Sequence, residues 1–308
     1  MYDIIIVGAG PAGMTAAIYA RRAAKSVLVL EAVNYGGQII STPDIENYPS
    51  QAHISGYDFS TKLYEQAKAL GAEFIFEKAV GIKNESDKKI VVTVKNSYEA
   101  FAVILATGSA SRKLGLEDED GLVGRGVSYC ATCDGNFYRK KVVAVVGGGN
   151  TALEDALYLS DLAEKVYLIH RRDSFRGEEA NVSRLTAKKN VEIVYNSNVT
   201  KLISDKRLRA IEVTNNVDGS VREVELNGLF VAVGRIPENR NFADLVRLDD
   251  AGYVEAGEDC HTSCDGIFVA GDNRTKTLRQ LVTAASDGAM AATEAIKYLN
   301  DDRARLNK

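Results

Sequence analysis

The sequence is poor in several residue types. Tryptophan is absent from its 308 residues, and cysteine and proline occur four times each. The absence of tryptophan decides nothing about function. Four cysteines are a cytosolic level of usage, in which a closely spaced pair serves catalysis more often than structure. We therefore look to the cysteine spacing for chemistry.

Long apolar runs and an excess of one charge are also missing. No run approaches the roughly 20 apolar residues that span a bilayer, and residues 1–8 lack the basic start of a signal peptide. Lys+Arg number 38 against 42 Asp+Glu, a net charge of −4 that favours neither nucleic acid nor an anionic membrane as a partner. The content of 45% hydrophobic and 26% charged residues is typical of a globular protein. We expect a soluble, cytoplasmic protein with room for two domains.

The chain opens with an apolar strand that runs into a glycine-rich turn. Ile4–Val7 precede Gly8-Ala9-Gly10-Pro11-Ala12-Gly13, a helical stretch follows, and a second apolar run ends at Glu31. Gly8, Gly10 and Gly13 in this strand–turn–helix setting allow a pyrophosphate to approach the helix N-terminus. Glu31 stands where an acid accepts hydrogen bonds from a ribose diol. The pattern predicts a dinucleotide site, with a bare glycine-rich turn as the alternative.

The same unit occurs a second time, 139 residues later. Gly147, Gly149, Ala152 and His170 stand at the positions of Gly8, Gly10, Gly13 and Glu31, within the run Gly147-Gly148-Gly149-Asn150-Thr151-Ala152. Here the second strand ends on His170-Arg171-Arg172, with Arg176 close behind. Arginines at this point favour a 2′-phosphate, although a basic surface turn is the alternative. We predict FAD on the first unit and NADPH on the second.

A pair of cysteines lies shortly before the second glycine loop, in Cys130-Ala131-Thr132-Cys133-Asp134. Two cysteines at this spacing can close a small disulfide ring, and Asp134 could exchange protons with a departing thiolate. In isolation the pair could equally be half a zinc site or two inert buried residues. The sequence holds no second such pair to complete a zinc site. Between two dinucleotide sites, a dithiol indicates an electron relay.

The intervening segments indicate how the domains are nested. A strand runs into Ala106-Thr107-Gly108, and a later strand ends at Gly271-Asp272, where the acid could bind a ribityl chain, ahead of a helix from about Arg279-Gln280. Short alternating runs at 74–80 and 89–94 predict a small additional sheet. The acidic run 117–120 is expected to be a solvated linker face. We predict an α/β protein with two Rossmann-like domains: FAD domain 1–112 and 239–308, with the NADPH domain 113–238 inserted into it.

Two remaining cysteines, Cys260 and Cys264, flank His261. Three candidate ligands within five residues make a poor metal tetrahedron, so we interpret them as packing residues and expect no metal. His53 receives no role.

With these runs assembled, the sequence resembles the bacterial low-molecular-weight thioredoxin reductases over essentially its whole length. The resemblance rests on both glycine loops, Gly36-Gly37-Gln38, Glu46-Asn47-Tyr48-Pro49, the Cys130–Asp134 run, His170-Arg171-Arg172, Gly271-Asp272 and Arg279-Gln280. It implies a homodimer with one FAD per subunit. It also implies that Cys133 faces the flavin, that Cys130 attacks the disulfide of thioredoxin, and that Asp134 is the acid–base. The residues implied to line the flavin are Gly36, Gly37, Gln38, Asn47, Arg279 and Gln280.

Related families differ in recognisable ways. Alkyl hydroperoxide reductase flavoproteins carry an added N-terminal thioredoxin-like module, which we do not expect here. Ferredoxin-linked thioredoxin reductases and dithiol oxidases have a degraded second nucleotide loop, and ferredoxin–NADP reductases lack the cysteine pair. A non-enzymatic flavin-binding redox sensor would require an idle dithiol. The expected reaction is therefore electron transfer from NADPH through FAD to Cys130–Cys133 and on to thioredoxin.

Overall fold

A computed structural model describes residues 1–42, 44–85 and 88–306, with only the backbone described at residue 41 and residues 302–306. The chain divides into two compact units, Met1–Ala110 with Ile236–Lys308 and Ser111–Arg235. The sequence places the boundaries after residues 112 and 238, whereas in the structure they follow residues 110 and 235.

Helices and strands alternate over residues 2–75 and 127–194, and each of these stretches is followed by a run of consecutive strands. Within the described residues, the six α-helices are α1 Pro11–Arg22, α2 Gly56–Ala69, α3 Ala131–Asp134, α4 Asn150–Ser160, α5 Glu179–Thr186 and α6 Leu281–Leu306. The strands are β1 Tyr2–Val7, β2 Val27–Leu30, β3 Glu73–Ile75, β4 Ala79–Asn84, β5 Lys89–Thr93, β6 Ser97–Leu105, β7 Ser109–Ser111, β8 Val127–Ser128, β9 Val142–Val146, β10 Lys165–Ile169, β11 Val191–Val194, β12 Ser197–Asp205, β13 Arg207–Asn215, β14 Val221–Glu225, β15 Gly228–Val231, β16 Arg235–Pro237 and β17 Ile267–Val269. The predicted α/β class is confirmed.

The first unit is built on a seven-stranded sheet in the order β3-β2-β1-β6-β5-β4, with β17 also paired to β6. The strands β3, β2, β1, β6 and β17 run parallel, while β5 and β4 continue the sheet antiparallel. Ile4 and Ile6 face a core that includes residues of α1 and α6, whereas Ile5 and Val7 face a second core with Phe242 and Val246. Because side chains alternate along a strand, this apolar run is buried on both faces of the sheet.

The predicted small additional sheet is wrong, because the run at 89–94 forms β5 of the seven-stranded sheet. The other predicted strand is wrong in its extent. The alternating run at 74–80 is divided between β3, which pairs with β2, and β4, which pairs with β5. The chain leaves the sheet at 76–78 and crosses to its other end, since β3 and β4 are the two outer strands of the order. Alternation alone cannot show such a change of partner, because both strands have the same period.

The second unit has a parallel sheet in the order β11-β10-β9-β15-β8 and a separate antiparallel sheet β12-β13-β14. Val143 and Val145 pack on the side of α4, and Ala144 and Val146 pack with Ile211 of the antiparallel sheet. The two crossings between the units lie in β7 and β16, which pair with each other. Among the described helices, none is both long and apolar enough to cross a membrane.

Candidate functional site

The first glycine loop is held together by contacts that only glycine permits. Gly8 has φ +113°, and a Cβ on it would lie 2.2 Å from the carbonyl oxygen of Ala106. A Cβ on Gly13 would lie 1.9 Å from the carbonyl oxygen of Gly8. The end of β1, the start of α1 and the end of β6 therefore meet here. Pro11 begins α1, where its fixed φ suits the first helical turn.

The predicted ribose acid is joined to this loop. One Glu31 carboxylate oxygen accepts a hydrogen bond from the backbone N–H of Ala9 at 2.8 Å, and the other accepts one from Val33 at 3.1 Å. The N–H of Gly36 donates to the Ala9 carbonyl at 2.8 Å, and Gly37 has φ +62°. A Cβ on Gly37 would lie 3.2 Å from the Cα of Gly10. The structure thus brings Glu31 and the Gly36–Gln38 segment to the first loop.

The strand end at Ala106–Gly108 is held by two buried amides. The Nδ2 of Asn273 donates to the Leu105 carbonyl at 3.2 Å and to the Thr107 hydroxyl at 3.0 Å. Thr107 in turn donates to Oδ1 of Asn239 at 3.1 Å. Both asparagines are fully buried. Sequence reasoning missed them, because they come together only when β6 meets segments more than 130 residues away.

A buried charged cluster supports Gly271 and Asp272. Asp287 on α6 accepts from the N–H of Gly271 at 2.9 Å, from two guanidinium nitrogens of Arg274 at 2.8 and 2.9 Å, and from Lys276 at 2.8 Å. Burial alone would raise the pKa of Asp287, but the hydrogen bonds from Arg274 and Lys276 hold it below its ordinary value. This cluster was also missed, although it fixes the turn that carries Asp272.

Two further predicted flavin residues meet at the start of α6. The Nδ2 of Asn47 donates to Oε1 of Gln280 at 3.1 Å. Neighbouring Arg279 lies over the ring of Tyr253, 4.1 Å from its centroid, and its Nη2 donates to the carbonyl of Arg274 at 3.2 Å. The loop containing Asn47 and the entry to α6 are therefore adjacent within the first unit.

In the second unit, the dithiol forms the predicted disulfide. Cys130 and Cys133 are bonded, with their Cα atoms 5.3 Å apart, and both are partly exposed. Asp134, the last residue of α3, accepts a hydrogen bond from the Ser128 hydroxyl at 2.6 Å. Burial raises the pKa of Asp134 above its ordinary value, and the Ser128 hydrogen bond opposes this rise. A carboxyl whose pKa is raised keeps its proton to a higher pH than an ordinary aspartate, as a proton donor to a departing thiolate requires.

The second glycine loop repeats the geometry of the first. A Cβ on Gly147 would lie 2.4 Å from the carbonyl oxygen of Ala232, the counterpart of the Gly8–Ala106 contact. The same Cβ would lie 2.6 Å from the Cβ of Ala152. A Cβ on Gly149 would meet no heavy atom of the described residues within 4 Å, so the backbone is open at this point. Asn150 accepts from the N–H of Glu178 at 2.7 Å, and Thr151 is exposed in the first turn of α4.

The predicted phosphate residues divide into one buried ring and three exposed arginines. His170 is buried, stacks on Phe175, and hydrogen-bonds the Ser174 carbonyl at 3.0 Å. Burial lowers the pKa of His170. Its ring fills the space that a side chain on Gly148 would occupy. Arg171, Arg172 and Arg176 are exposed, and the N–H of Arg176 donates to the carbonyl of Gly148 at 2.8 Å. Arg176 is therefore tied to the second loop through its backbone, while Arg171 and Arg172 follow directly after His170.

The dithiol and the second loop belong to the same unit, and they are linked by a contact between α3 and α4. A Cβ on Gly135, just after α3, would lie 2.8 Å from the ring of Tyr158 and 3.2 Å from Leu159 on α4. Helix α4 begins at Asn150 in the glycine loop. The short dithiol helix thus packs on the helix that the second loop introduces.

The remaining predictions have mixed outcomes. Cys260 is buried, with its pKa raised to about 12 by burial, and Cys264 accepts from Asn84 at 3.3 Å. The acidic run 117–120 is not wholly solvated, because Glu119 is buried and accepts from the Tyr129 hydroxyl at 2.7 Å. Its carboxylate also accepts backbone N–H groups of residues 114–116.

His53, which received no role, lies beside two acids. Its Nδ1 is 2.8 Å from Asp44 and 3.9 Å from Glu46. All three belong to the loop that carries Asn47, and His53 is exposed. The hydrogen bond and charge of Asp44 raise the pKa of His53. An exposed ion pair accounts for this grouping.

Comparisons with known proteins agree with this geometry. The profile of a family described as pyridine nucleotide-disulphide oxidoreductase matches residues 2–288. A thioredoxin reductase of Listeria monocytogenes is 41% identical over 302 residues, covering 98% of this chain and 95% of that protein. One from Bacillus subtilis is 39% identical over 302 residues, covering 98% and 96%. The crystal structure of thioredoxin reductase from Streptococcus pyogenes has a TM-score of 0.93 at 41% identity, covering 98% and 99%. The predicted resemblance, fold class and enzyme class are confirmed.

Proposed function

Because the chain belongs to the pyridine nucleotide-disulphide oxidoreductase family, we propose that it is an NADPH-dependent flavoprotein that reduces the disulfide of thioredoxin. The observation that carries the proposal is the Cys130–Cys133 disulfide, which lies in the same unit as a nucleotide loop rimmed by arginines. Thioredoxin as the substrate is supported by relatives that carry the name thioredoxin reductase.

The first unit fits FAD. Gly10 lies at the start of α1 with Glu31 on the adjacent N–H of Ala9, an arrangement suited to a pyrophosphate and its ribose. The residues assigned to FAD are Gly8, Gly10, Pro11, Ala12, Gly13, Glu31, Gly36, Gly37, Gln38, Asn47, Ala106, Thr107, Gly108, Gly271, Asp272, Arg279 and Gln280. When bound, FAD accepts a hydride from NADPH and supplies two electrons to the Cys130–Cys133 disulfide.

The second unit fits NADPH. The open backbone at Gly149 admits a pyrophosphate, and exposed arginines at the loop rim suit a 2′-phosphate. The residues assigned to NADPH are Gly147, Gly149, Asn150, Thr151, Ala152, His170, Arg171, Arg172 and Arg176. His170 supports Gly148 through its ring, and the arginines would hold the 2′-phosphate.

In the exchange with thioredoxin, Cys130 is the attacking thiolate. A bond forms between Cys130 Sγ and one sulfur of the thioredoxin disulfide, and the other sulfur departs and takes the proton of Asp134. Cys133 then gives its proton to Asp134 and attacks Cys130 Sγ. The intramolecular disulfide re-forms, and the second thioredoxin sulfur leaves and takes a proton from solvent. We further propose a cytoplasmic homodimer, following the family resemblance.

The purified flavoprotein tests this function directly. We expect NADPH, and not NADH, to bleach the flavin absorbance, and NADPH to be consumed steadily with thioredoxin and a disulfide acceptor. Cys133→Ser should abolish thioredoxin reduction while leaving flavin bleaching intact, because the dithiol acts after the flavin. Cys264→Ser, which removes a free cysteine of the other unit, is the matched control. Full thioredoxin turnover by Cys133→Ser would refute the assignment, and absence of turnover by the wild type would exclude a reductase.

A further inference from the structure

The hydroxyl of Ser128 joins the two ends of the dithiol segment. Its oxygen is 2.6 Å from a carboxylate oxygen of Asp134, and it accepts a hydrogen bond from the N–H of Cys130 at 3.1 Å. The Cys130 carbonyl is a second possible acceptor at 3.3 Å. A hydroxyl has a single proton, so the shorter contact with the charged group takes it. Ser128 thus links the backbone before the first cysteine to the acid after the second.

The sheet fixes Ser128 in place. It ends β8 opposite Phe230 of β15, and only 3% of it is exposed. A buried serine on a paired strand cannot turn its hydroxyl to water, so the hydrogen bond is held by the sheet and not by a mobile loop. The acid that follows the dithiol is therefore anchored from outside its own helix.

Several other groups surround Asp134. Tyr138, in the turn after α3, is close enough for the charge of Asp134 to raise its pKa, although burial is the larger cause, and Arg207 opposes both. Helix α4, which packs on this region, carries Tyr158 and Asp155. Burial and neighbouring Glu154 raise the pKa of Asp155 to about 7. Any pH profile of the dithiol must separate Asp134 from Asp155.

We propose that Ser128 is a positioning residue for the dithiol exchange. Its hydroxyl fixes the carboxyl of Asp134, the residue after Cys133, so that the proton given to the first departing thioredoxin sulfur, and later taken from Cys133, moves at one fixed place. The inference rests on the proposed function. The bonds made and broken are those of the exchange given above, and Ser128 itself gains and loses no atom.

The test compares Ser128→Ala with Ser128→Thr and with Ser160→Ala in the holoenzyme. Ser160 is also buried, but its hydroxyl donates to the Leu157 carbonyl of its own helix at 2.6 Å. The first readout is the alkylation rate of the reduced dithiol by iodoacetamide as a function of pH. We expect the midpoint of the alkylation profile of Ser128→Ala to shift upward by about one pH unit, because the ionised carboxyl of Asp134 loses a hydrogen-bond donor. Ser128→Thr and Ser160→Ala should match the wild type, and the shift should persist in an Asp155→Asn background.

The second readout is thioredoxin turnover at neutral pH. Ser128→Ala should lower kcat several-fold with little change in the KM for thioredoxin, because binding surfaces are untouched. In an Asp134→Asn background, Ser128→Ala should have little further effect, since the two residues act as one unit. Equal pH profiles for Ser128→Ala and Ser160→Ala, or full additivity with Asp134→Asn, would overturn the proposal.

A third measurement does not depend on the folding of Ser128→Ala. Difference infrared spectra of the wild type against Asp134→Asn report the carboxyl directly, because a hydroxyl donor lowers the stretching frequency of its carbonyl. A frequency typical of an unbonded buried acid would contradict the inference. Failure of the wild type to reduce thioredoxin would refute the proposed function, whereas the alkylation profile would still decide the role of Ser128.

Discussion

Gly148 and Gly149 are neighbours in the second loop, yet their hydrogens face different surroundings. A Cβ on Gly148 would lie 2.0 Å from the His170 ring, which its hydrogen bond and its stacking on Phe175 hold in place. A Cβ on Gly149 would enter space free of the described residues, where the pyrophosphate is proposed to lie. Gly148 therefore serves packing, and Gly149 is proposed to serve the approach of the ligand.

We predict that alanine at Gly148 affects stability and that alanine at Gly149 affects NADPH binding. Gly148→Ala should destabilise the protein by about 1–3 kcal/mol, because the buried ring cannot give way. Gly149→Ala should change stability by less than about 1 kcal/mol and weaken NADPH binding. Thermal unfolding and NADPH titration of both variants test this. Equal losses of stability would show that His170 moves freely, and unchanged NADPH affinity in Gly149→Ala would place the pyrophosphate elsewhere.

We expect single residues to decide cofactor choice as well. A charge-assisted hydrogen bond to a 2′-phosphate contributes about 1.5–3 kcal/mol, so Arg172→Ala should raise the KM for NADPH roughly 10- to 100-fold. The kcat should change less, because the phosphate is remote from the reacting atoms. NADH, which lacks the phosphate, should be affected far less. Arg209→Ala, which removes another exposed arginine of the same unit, is the control for nonspecific charge effects.

Steady-state kinetics with both nucleotides settle this prediction. Arg171→Ala should behave like Arg172→Ala, since both side chains are exposed at the same strand end. If neither substitution changed the KM for NADPH, the second loop would not read a 2′-phosphate. The ferredoxin-linked alternative would then have to be considered again.

At the scale of elements, the sequence predicts features that are local or repeated. The strand–glycine–helix unit is visible twice because sterics require glycine at Gly8 and Gly147, each facing the carbonyl oxygen of a neighbouring strand end. The disulfide could be predicted because its cysteines are three residues apart and lie between the two glycine loops. These features depend on spacing along the chain.

The missed features depend on distant parts of the chain. Asn239 and Asn273 hold Thr107 from more than 130 residues away. No periodicity marks a polar residue whose partners are backbone groups of another segment. The crossing of the chain from β3 at one edge of the sheet to β4 at the other edge was missed for the same reason.

The buried cluster around Asp287 shows how an element boundary is stabilised. Removing its charge with Asp287→Asn leaves the buried Lys276 ammonium without its carboxylate and Arg274 with only the exposed Glu258 at 3.3 Å, which should cost about 3–5 kcal/mol. Asp244→Asn, on the surface of the same unit, should cost less than about 0.5 kcal/mol. Denaturant unfolding at neutral pH measures both.

The pH dependence of this loss has a definite sign. Since the folded pKa of Asp287 is lowered, its contribution is complete above the unfolded pKa of about 3.9 and is lost as pH falls through the folded pKa. The stability difference between the wild type and Asp287→Asn should therefore narrow below about pH 4. A difference that stayed constant into strong acid would mean that the carboxylate is not what the two cations require.

At the scale of the whole molecule, the dithiol and the proposed NADPH site belong to one unit and the proposed FAD site to the other. Both the nicotinamide and the disulfide must nevertheless reach the flavin. Only two crossings, β7 and β16, connect the units, and each follows a glycine with positive φ, Gly108 at +68° and Gly234 at +113°. We expect these crossings to act as a hinge between the two half-reactions.

Gly234→Ala tests the hinge, with Gly219→Ala as its matched control. Both glycines have positive φ, +113° and +71°, and a Cβ on either would meet none of the described atoms within 4 Å. Each substitution therefore adds backbone strain of about 1–3 kcal/mol without a clash, but Gly219 lies in the turn between β13 and β14, away from the crossings. The two variants should lose similar stability. Only Gly234→Ala should lower kcat with thioredoxin, at unchanged NADPH affinity, because its strain falls on the crossing that must change conformation. If both variants had the wild-type kcat per folded molecule, the movement between the two units would have to take place at residues other than Gly234.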